Sequence, residues 1–169
     1  MVDEENKETG IADKNTVHTK NTPLHRGFSL FLFNSKRELL VTQRAKSKKT
    51  FPEVWTNTIC GHPGPGENII EAARRRLDEE LKIKIEKIKI KEIAPYRYRF
   101  NDQNGILENE ICPILVAFAD ITPKPQPQEA ADWKWIKWEE FLKKIKKNPR
   151  AFSPWSVEEA FILEKILNL

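Results

Sequence analysis

The sequence predicts an α/β fold: a mixed β-sheet flanked by helices on both faces, an α/β/α sandwich in a single domain. Three observations predict it. Over residues 67–81, Ile70, Ala73, Leu77 and Leu81 recur at helical spacing and mark one buried face. Short apolar runs at 28–33, 39–42, 111–118 and 133–138 are separated by polar and turn-forming residues, as strands are. The chain has 169 residues, enough for one domain with a proper core.

Composition narrows the function. Charged residues make up 32% and hydrophobic residues 39%, the balance of a soluble protein. Lys and Arg outnumber Asp and Glu 29 to 25, a surplus that favours anionic ligands only weakly. Much of it lies in 82–91 and 143–147, which read as solvated faces. No aromatic residues interleave there to make a stacking platform, so nucleic acid is not an expected partner. No apolar run is long enough for a bilayer and no signal peptide is recognisable, so the expected location is the cytoplasm. Two cysteines do not make a disulfide scaffold. Cys112 reads as a small buried residue, and Cys60, two residues from His62, as a candidate for chemistry.

Taken in order, residues 1–13 are polar and are expected to be mobile; the domain proper is expected over 14–169. His18 and His25 precede the first clear strand, with Pro23 between them excluding a long helix. Residues 28–33 and 39–42 form a predicted hairpin through the turn at 34–37. The loop at 43–49 is polar, with Arg44 and Lys48 the best candidates for an anion-binding rim. Cys60 and His62 then lead through Gly64 and Gly66 into a helix with Glu67 in its first turn, where negative charge suits the helix N-terminus. The isoleucines at 83, 85, 88, 90 and 93 slip once in their alternation, which predicts a turn or bulge. Residues 96–100 alternate as a half-buried strand, and 101–105 turn into a second strand over 106–120. Glu108 and Glu110 fall on one face of that strand. Two like charges beside an apolar run are costly unless a cation holds them. With His18, His25 and His62 they make a donor set suited to a divalent metal of intermediate hardness. Residues 133–138 form a last strand and 138–147 a basic surface helix. The final helix starts either with Ser153 as N-cap and Pro154 behind it, or with a Ser156/Glu159 capping box. It is expected to bury Phe161, Leu163, Ile166 and Leu167.

The spacing Gly61, Glu67, Arg75, Leu77, Glu79, Glu80, Ile83 resembles the Nudix box, with Arg76 where the box has glutamate and Lys82 where it has glycine. Together with VHTKNTPLHRGFS, TNTICGHP, YRYR, GILENEICP and AFSPW, this resembles the type I isopentenyl diphosphate isomerases over about 14–155. Relative to that family, the N-terminus reads as clipped before its first turn. The resemblance implies isomerisation of isopentenyl to dimethylallyl diphosphate by protonation and deprotonation. It implies Cys60 and Glu110 as catalytic residues, Tyr98 assisting them, and Trp155 facing the reacting carbons. His18, His25, His62, Glu108 and Glu110 are implied ligands of a divalent metal (Mn²⁺, Zn²⁺ or Mg²⁺). Glu80 is implied to help hold a Mg²⁺ that accompanies the substrate, and Lys14, Arg44, Lys48 and Arg76 to contact the diphosphate. The expected partner is the isoprenoid diphosphate alone, bound by a monomer or weak dimer. A Nudix hydrolase cleaving some other diphosphate is the alternative. Arg76 and the Cys60/His62 pair speak against it, because the hydrolases use the missing glutamate to bind magnesium.

Overall fold

Phe28, Leu30 and Leu32 point to one side of their strand, and Ser29, Phe31 and Phe33 to the other, so one stretch of chain supplies both hydrophobic layers. The computed structural model describes residues 1–84 and 88–167, without the side chains of Lys14 and Asn15. In order it contains α1 (Lys14–Val17), β1 (His25–Arg26), β2 (Phe28–Phe33), β3 (Glu38–Arg44), β4 (Trp55–Thr56), β5 (Ile59–Gly61) and α2 (Ile69–Leu81). Then follow β6 (Lys91–Ala94), β7 (Arg97–Asn101), β8 (Leu107–Ile111), β9 (Ile114–Phe118), β10 (Ala130–Lys137), α3 (Trp138–Lys147) and α4 (Pro154–Ile166). The larger sheet runs β10-β3-β2-β9-β6, with β4 added to β3 and β5 to β2; a smaller one runs β1-β8-β7.

The larger sheet is sandwiched as the sequence predicts. On one face Ala72, Ala73, Leu77 and Leu81 of α2 pack against Phe28, Leu30, Leu32, Leu40 and Leu115. On the other, Phe141 and Ile145 of α3 and Ala160 and Leu163 of α4 cover Phe31, Phe33, Val41 and Val116. The two sheets are joined by two segments that cross side by side. β1 passes through Gly27 into β2, and β8 passes through Cys112 and Pro113 into β9; both pairs are parallel. Gly27 N–H donates to Ile111 O at 2.9 Å, and Ser29 N–H to Pro113 O at 3.2 Å. The expected single strand over 106–120 is therefore two strands in two sheets. Pro113, which lacks an N–H, sits at the changeover.

Helix ends also depart from expectation. α2 begins at Ile69, not at Glu67, because Asn68 caps it and accepts from the N–H groups of Ile70 and Glu71 at 3.0 Å each. Glu67 lies outside the helix and clasps the entry loop, accepting from Gly64 N–H at 2.7 Å and from Arg75 Nη2 at 2.8 Å. At α4, Ser153 holds the N-cap position, but its hydroxyl bonds Thr56 Oγ1 at 2.8 Å instead of the helix. The Ser156/Glu159 capping box does not form: both side chains are fully buried under the sheet. Leu163 is buried as expected, whereas Phe161 and Leu167 are only half-buried and Ile166 is 48% exposed. At the other end, Met1–Gly10 fold back on themselves. The Met1 amino group donates to Gly10 O at 2.7 Å, and buried Val2 donates its N–H to Leu24 O at 3.0 Å. The expected slip between Ile85 and Ile88 lies outside the described residues.

Lys82, which stands where the Nudix box has glycine, ends α2 in the left-handed region at φ 55°, ψ 34°, its N–H donating to Asp78 O. A non-glycine residue there costs about 1–2 kcal/mol; glycine would give back about 0.4–1 kcal/mol through the freer unfolded chain. Lys82→Gly is therefore expected to stabilise the fold by about 0.5–1 kcal/mol, read as a rise in urea midpoint at unchanged slope.

Candidate functional site

The two sheets meet over a cavity of about 230 Å³. From the larger sheet it receives Cys60 at the middle of β5, and from the smaller sheet Tyr98 on β7 and Glu108 and Glu110 on β8. His18, His62, Arg44, Lys48, Arg76 and Trp155 complete the predicted residues that line it. His25 stands behind Glu110, and Glu80 behind Arg76. Lys14 begins α1, but its side chain lies outside the described part of the structure. A larger hollow of about 420 Å³ opens on the far side of His25 and His62, walled by Met1, Gly10 and Arg75. It shares His62 but has no thiol, phenol or indole, so the smaller cavity is the one equipped for chemistry.

The imidazoles converge. One ligand atom each from His18, His25, His62 and Glu110 all lie within 4.8 Å of one another. His25 Nε2 is 3.2 Å from His62 Nε2, and His62 Nε2 is 3.1 Å from Glu110 Oε1. His25 Nδ1 bonds Pro23 O at 2.9 Å. A carbonyl only accepts, so Nδ1 carries the proton, and in the neutral ring the Nε2 lone pair faces the cluster. Glu108 stands beside this group. Its Oε2 is 3.1 Å from His18 Nε2, yet neither atom has a well-aligned hydrogen bond among the described residues, and its Oε1 accepts from Thr50. Lone pairs turned towards one another, and buried polar atoms left over, fit a bound cation; the cluster can hold a metal ion. Gly27 makes room for it, since a Cβ there would lie 1.9 Å from Glu110 Oε2.

The titratable groups are pushed apart. Burial alone would raise the Glu110 carboxyl, but the imidazoles of His62 and His25 outweigh it and hold it well below the usual carboxylate range. Cys60 borders the cavity and is half-buried. Burial, then the nearby Glu159 charge, push its thiol up to about 12. Burial and the neighbouring Glu110 raise the Tyr98 phenol as well. The Trp155 ring stacks on Tyr98 with centroids 5.7 Å apart, and the Arg44 guanidinium lies 5.3 Å from its centroid. Arg44 is fixed by Phe51 O at 3.0 Å and Thr50 O at 2.9 Å.

The cations at the cavity are already paired. Arg76 meets Glu80 at 2.6 Å, Glu79 at 3.0 Å and Glu129 at 3.2 Å, and Lys48 also pairs with Glu129. Nothing in the sequence around Glu129 marked it, because it follows a proline-rich loop remote from every motif. Thr50 and Gly27 were equally unmarked; Thr50 meets Glu108, and Gly27 leaves room for Glu110, only through the pairing of distant segments. The two cysteines are both free.

The sequence model of the NUDIX domain matches residues 23–156. Isopentenyl-diphosphate Delta-isomerases match almost the whole chain. That of Frankia alni is 42% identical over 94% of this chain and 81% of its own. That of Salmonella arizonae is 45% identical over 95% and 87%. The chain belongs to the Nudix isopentenyl-diphosphate Delta-isomerase family. Among solved structures, one from Deinococcus radiodurans superposes with a TM-score of 0.73 at 22% identity over 94% of both chains. The dihydroneopterin triphosphate pyrophosphohydrolase of Escherichia coli gives 0.61 at 16% identity over 87% of this chain and all of that one. Those likenesses show the Nudix fold alone, which isomerases and hydrolases share. No helix among the described residues is long and apolar enough to cross a membrane.

Proposed function

We propose that the 230 Å³ cavity converts isopentenyl diphosphate to dimethylallyl diphosphate by adding a proton at one carbon and removing one from another. The observation that carries this reading is that Cys60 and Glu110, brought from different sheets, line one cavity with Tyr98 and Trp155. A double-bond shift needs a proton donor and a proton acceptor at the same alkene. With Cys60 and Tyr98 held protonated and Glu110 ionised, the site rests with both. The Trp155 indole face steadies the tertiary carbocation between the two steps, by about 0.5–2 kcal/mol.

Arg44, Lys48 and Arg76, with Lys14 from α1, take the diphosphate, and Mg²⁺ that comes with it is held in part by Glu80. His18, His25, His62, Glu108 and Glu110 are the residues to hold a second divalent ion, Mn²⁺, Zn²⁺ or Mg²⁺. When bound, that ion supplies positive charge that fixes the Glu110 carboxylate and tunes its proton affinity. The protein acts as a monomer or weak dimer in the cytoplasm, with the isoprenoid diphosphate as its substrate.

Incubation with isopentenyl diphosphate and Mg²⁺ in deuterated water tests the reading. Dimethylallyl diphosphate carrying deuterium in the new methyl group is expected; release of inorganic phosphate instead would favour hydrolysis. Cys60→Ala and Glu110→Gln are each expected to lower turnover by at least about 10²–10⁴-fold with an unchanged circular dichroism spectrum. Near-normal turnover in either variant refutes the acid–base pair. Elemental analysis is expected to find one tightly held divalent ion per chain, reduced in His25→Ala at equal fold content. A metal-free protein indifferent to strong chelators would remove that site.

A further inference from the structure

Of the five predicted metal ligands, Glu108 alone stands outside the tight cluster of His18, His25, His62 and Glu110. It is buried all the same, two residues from Glu110 on β8 and so on the same face. Its two oxygens differ. Oε1 accepts from the Thr50 hydroxyl. Oε2 lies 3.1 Å from His18 Nε2, and neither of those atoms has a well-aligned hydrogen bond among the described residues. A buried carboxylate oxygen without a donor is costly. Set against a ring nitrogen, it is half of a donor pair for a cation. One oxygen of Glu108 is tied and the other is spare.

Thr50 reaches Glu108 from the other sheet. It belongs to the loop between β3 and β4 of the larger sheet, whereas β8 is in the smaller one. The Arg44 guanidinium sets its position. Arg44 Nη2 donates to Thr50 O at 2.9 Å and reaches Thr50 Oγ1 at 3.4 Å, and Nε donates to Phe51 O at 3.0 Å. The backbone there is strained, with Phe51 at φ 43°, in the left-handed region that a bulky side chain rarely adopts. Such a residue persists only where its surroundings hold it, and the Arg44 fork does so. A guanidinium can only donate, so it takes a lone pair of the Thr50 oxygen, and the single hydroxyl proton goes to Glu108. The order Arg44, Thr50, Glu108 is thereby fixed. Thr50 is buried, so water does not compete for that proton.

We propose that Thr50 is a positioning residue for the metal centre: its hydroxyl ties Glu108 Oε1 and so reserves Oε2, beside His18, for the divalent ion. Thr50 does not itself touch the ion, and no proton changes hands. A hydrogen bond to one oxygen of a carboxylate orients the other, which is how groups behind a ligand tune a metal site. The hydroxyl is the working part. Valine would fill the space of threonine without holding the carboxylate, and serine would hold the carboxylate without filling the space. The proposal rests on the metal-site reading above and adds the residue that selects which Glu108 oxygen serves.

The test is the Zn²⁺ affinity of the full chain, measured by competition with a chromophoric chelator, a readout that needs no turnover. Thr50→Val is expected to weaken binding by about 10–100-fold. Thr50→Ser, which keeps the hydroxyl, is expected to bind nearly as wild type does. A role in packing alone gives the opposite order, because valine keeps the shape of threonine and serine does not. Added to Glu108→Ala, Thr50→Val is expected to cost nothing further, since the two residues act as one unit. Wild-type affinity in Thr50→Val, a serine variant as weak as valine, or a loss that multiplies in the double variant overturns the proposal. If Thr50→Val does not fold by circular dichroism, Thr50→Ala removes the same hydroxyl and must show the same loss against Thr50→Ser. A wild-type chain that binds no Zn²⁺ overturns the metal-site reading itself, and the proposal with it; that measurement comes before any variant is compared.

Discussion

The backbone pairing of His25 with Glu110 holds the site together. β1 is only two residues long, and its register against β8 sets His25 opposite Glu110 and Arg26 opposite Ile111. The same two segments then cross into the larger sheet, where Ser29 meets Ile114 and Phe31 meets Val116. A slip of one residue would turn Phe28, Leu30 and Leu32 away from α2 and send Phe31 and Phe33 to the wrong layer. The packing of the core therefore fixes the register that brings an imidazole from the start of the chain against a carboxylate some 85 positions on. Gly27 lies at the crossing, and its missing side chain leaves the space that the Glu110 carboxylate fills.

That constraint is also an electrostatic one. His18, His25, Glu108 and Glu110 are buried, so bulk water screens them little. Removing one member of such a group leaves the others uncompensated, a larger penalty than the group's own net contribution to stability. The carboxyls near Cys60 are shifted in opposite directions: the imidazoles of His62 and His25 hold Glu110 low, whereas burial, with Glu110 and Glu158 nearby, raises Glu159 on α4.

Features with a local physical signature were legible in the sequence. The hairpin at β2–β3, the α2 face through Ala73, Leu77 and Leu81, and the buried Cys112 follow from periodicity and composition. The Glu108/Glu110 pair was legible as a pair, because residues two apart on a strand share a face, and both line the cavity. Features that depend on partners far away in sequence were not. Glu159 matches a capping-box pattern with Ser156, and only the docking of α4 on the sheet turns both inward. Glu67 looked like a first-turn acid, but Asn68 wins the cap because its shorter side chain reaches two N–H groups at once, leaving Glu67 to Arg75 and Gly64. The run at 111–118 reads as one strand, since nothing local says that Pro113 marks a change of sheet.

The paired state of the cationic rim bears on how a diphosphate enters. Arg76 and Lys48 are not idle charges: Glu129 bridges them, and Glu80 closes on Arg76 from behind. An incoming diphosphate competes with these carboxylates for the same donors, and it can win because a phosphate oxygen array offers a bidentate guanidinium more charge than one carboxylate does. Winning leaves Glu80 and Glu129 short of a cation in a partly buried place, a cost that would cancel much of the gain. In the proposed reaction Glu80 and Glu129 would be the carboxylates to hold a Mg²⁺ ion that comes with the substrate, and such an ion would offset that cost by supplying a hard cation to them. The arginine that replaces the usual Nudix glutamate at position 76 is what ties the two together: it exchanges a metal-binding carboxylate for a donor that holds carboxylates first and phosphate afterwards.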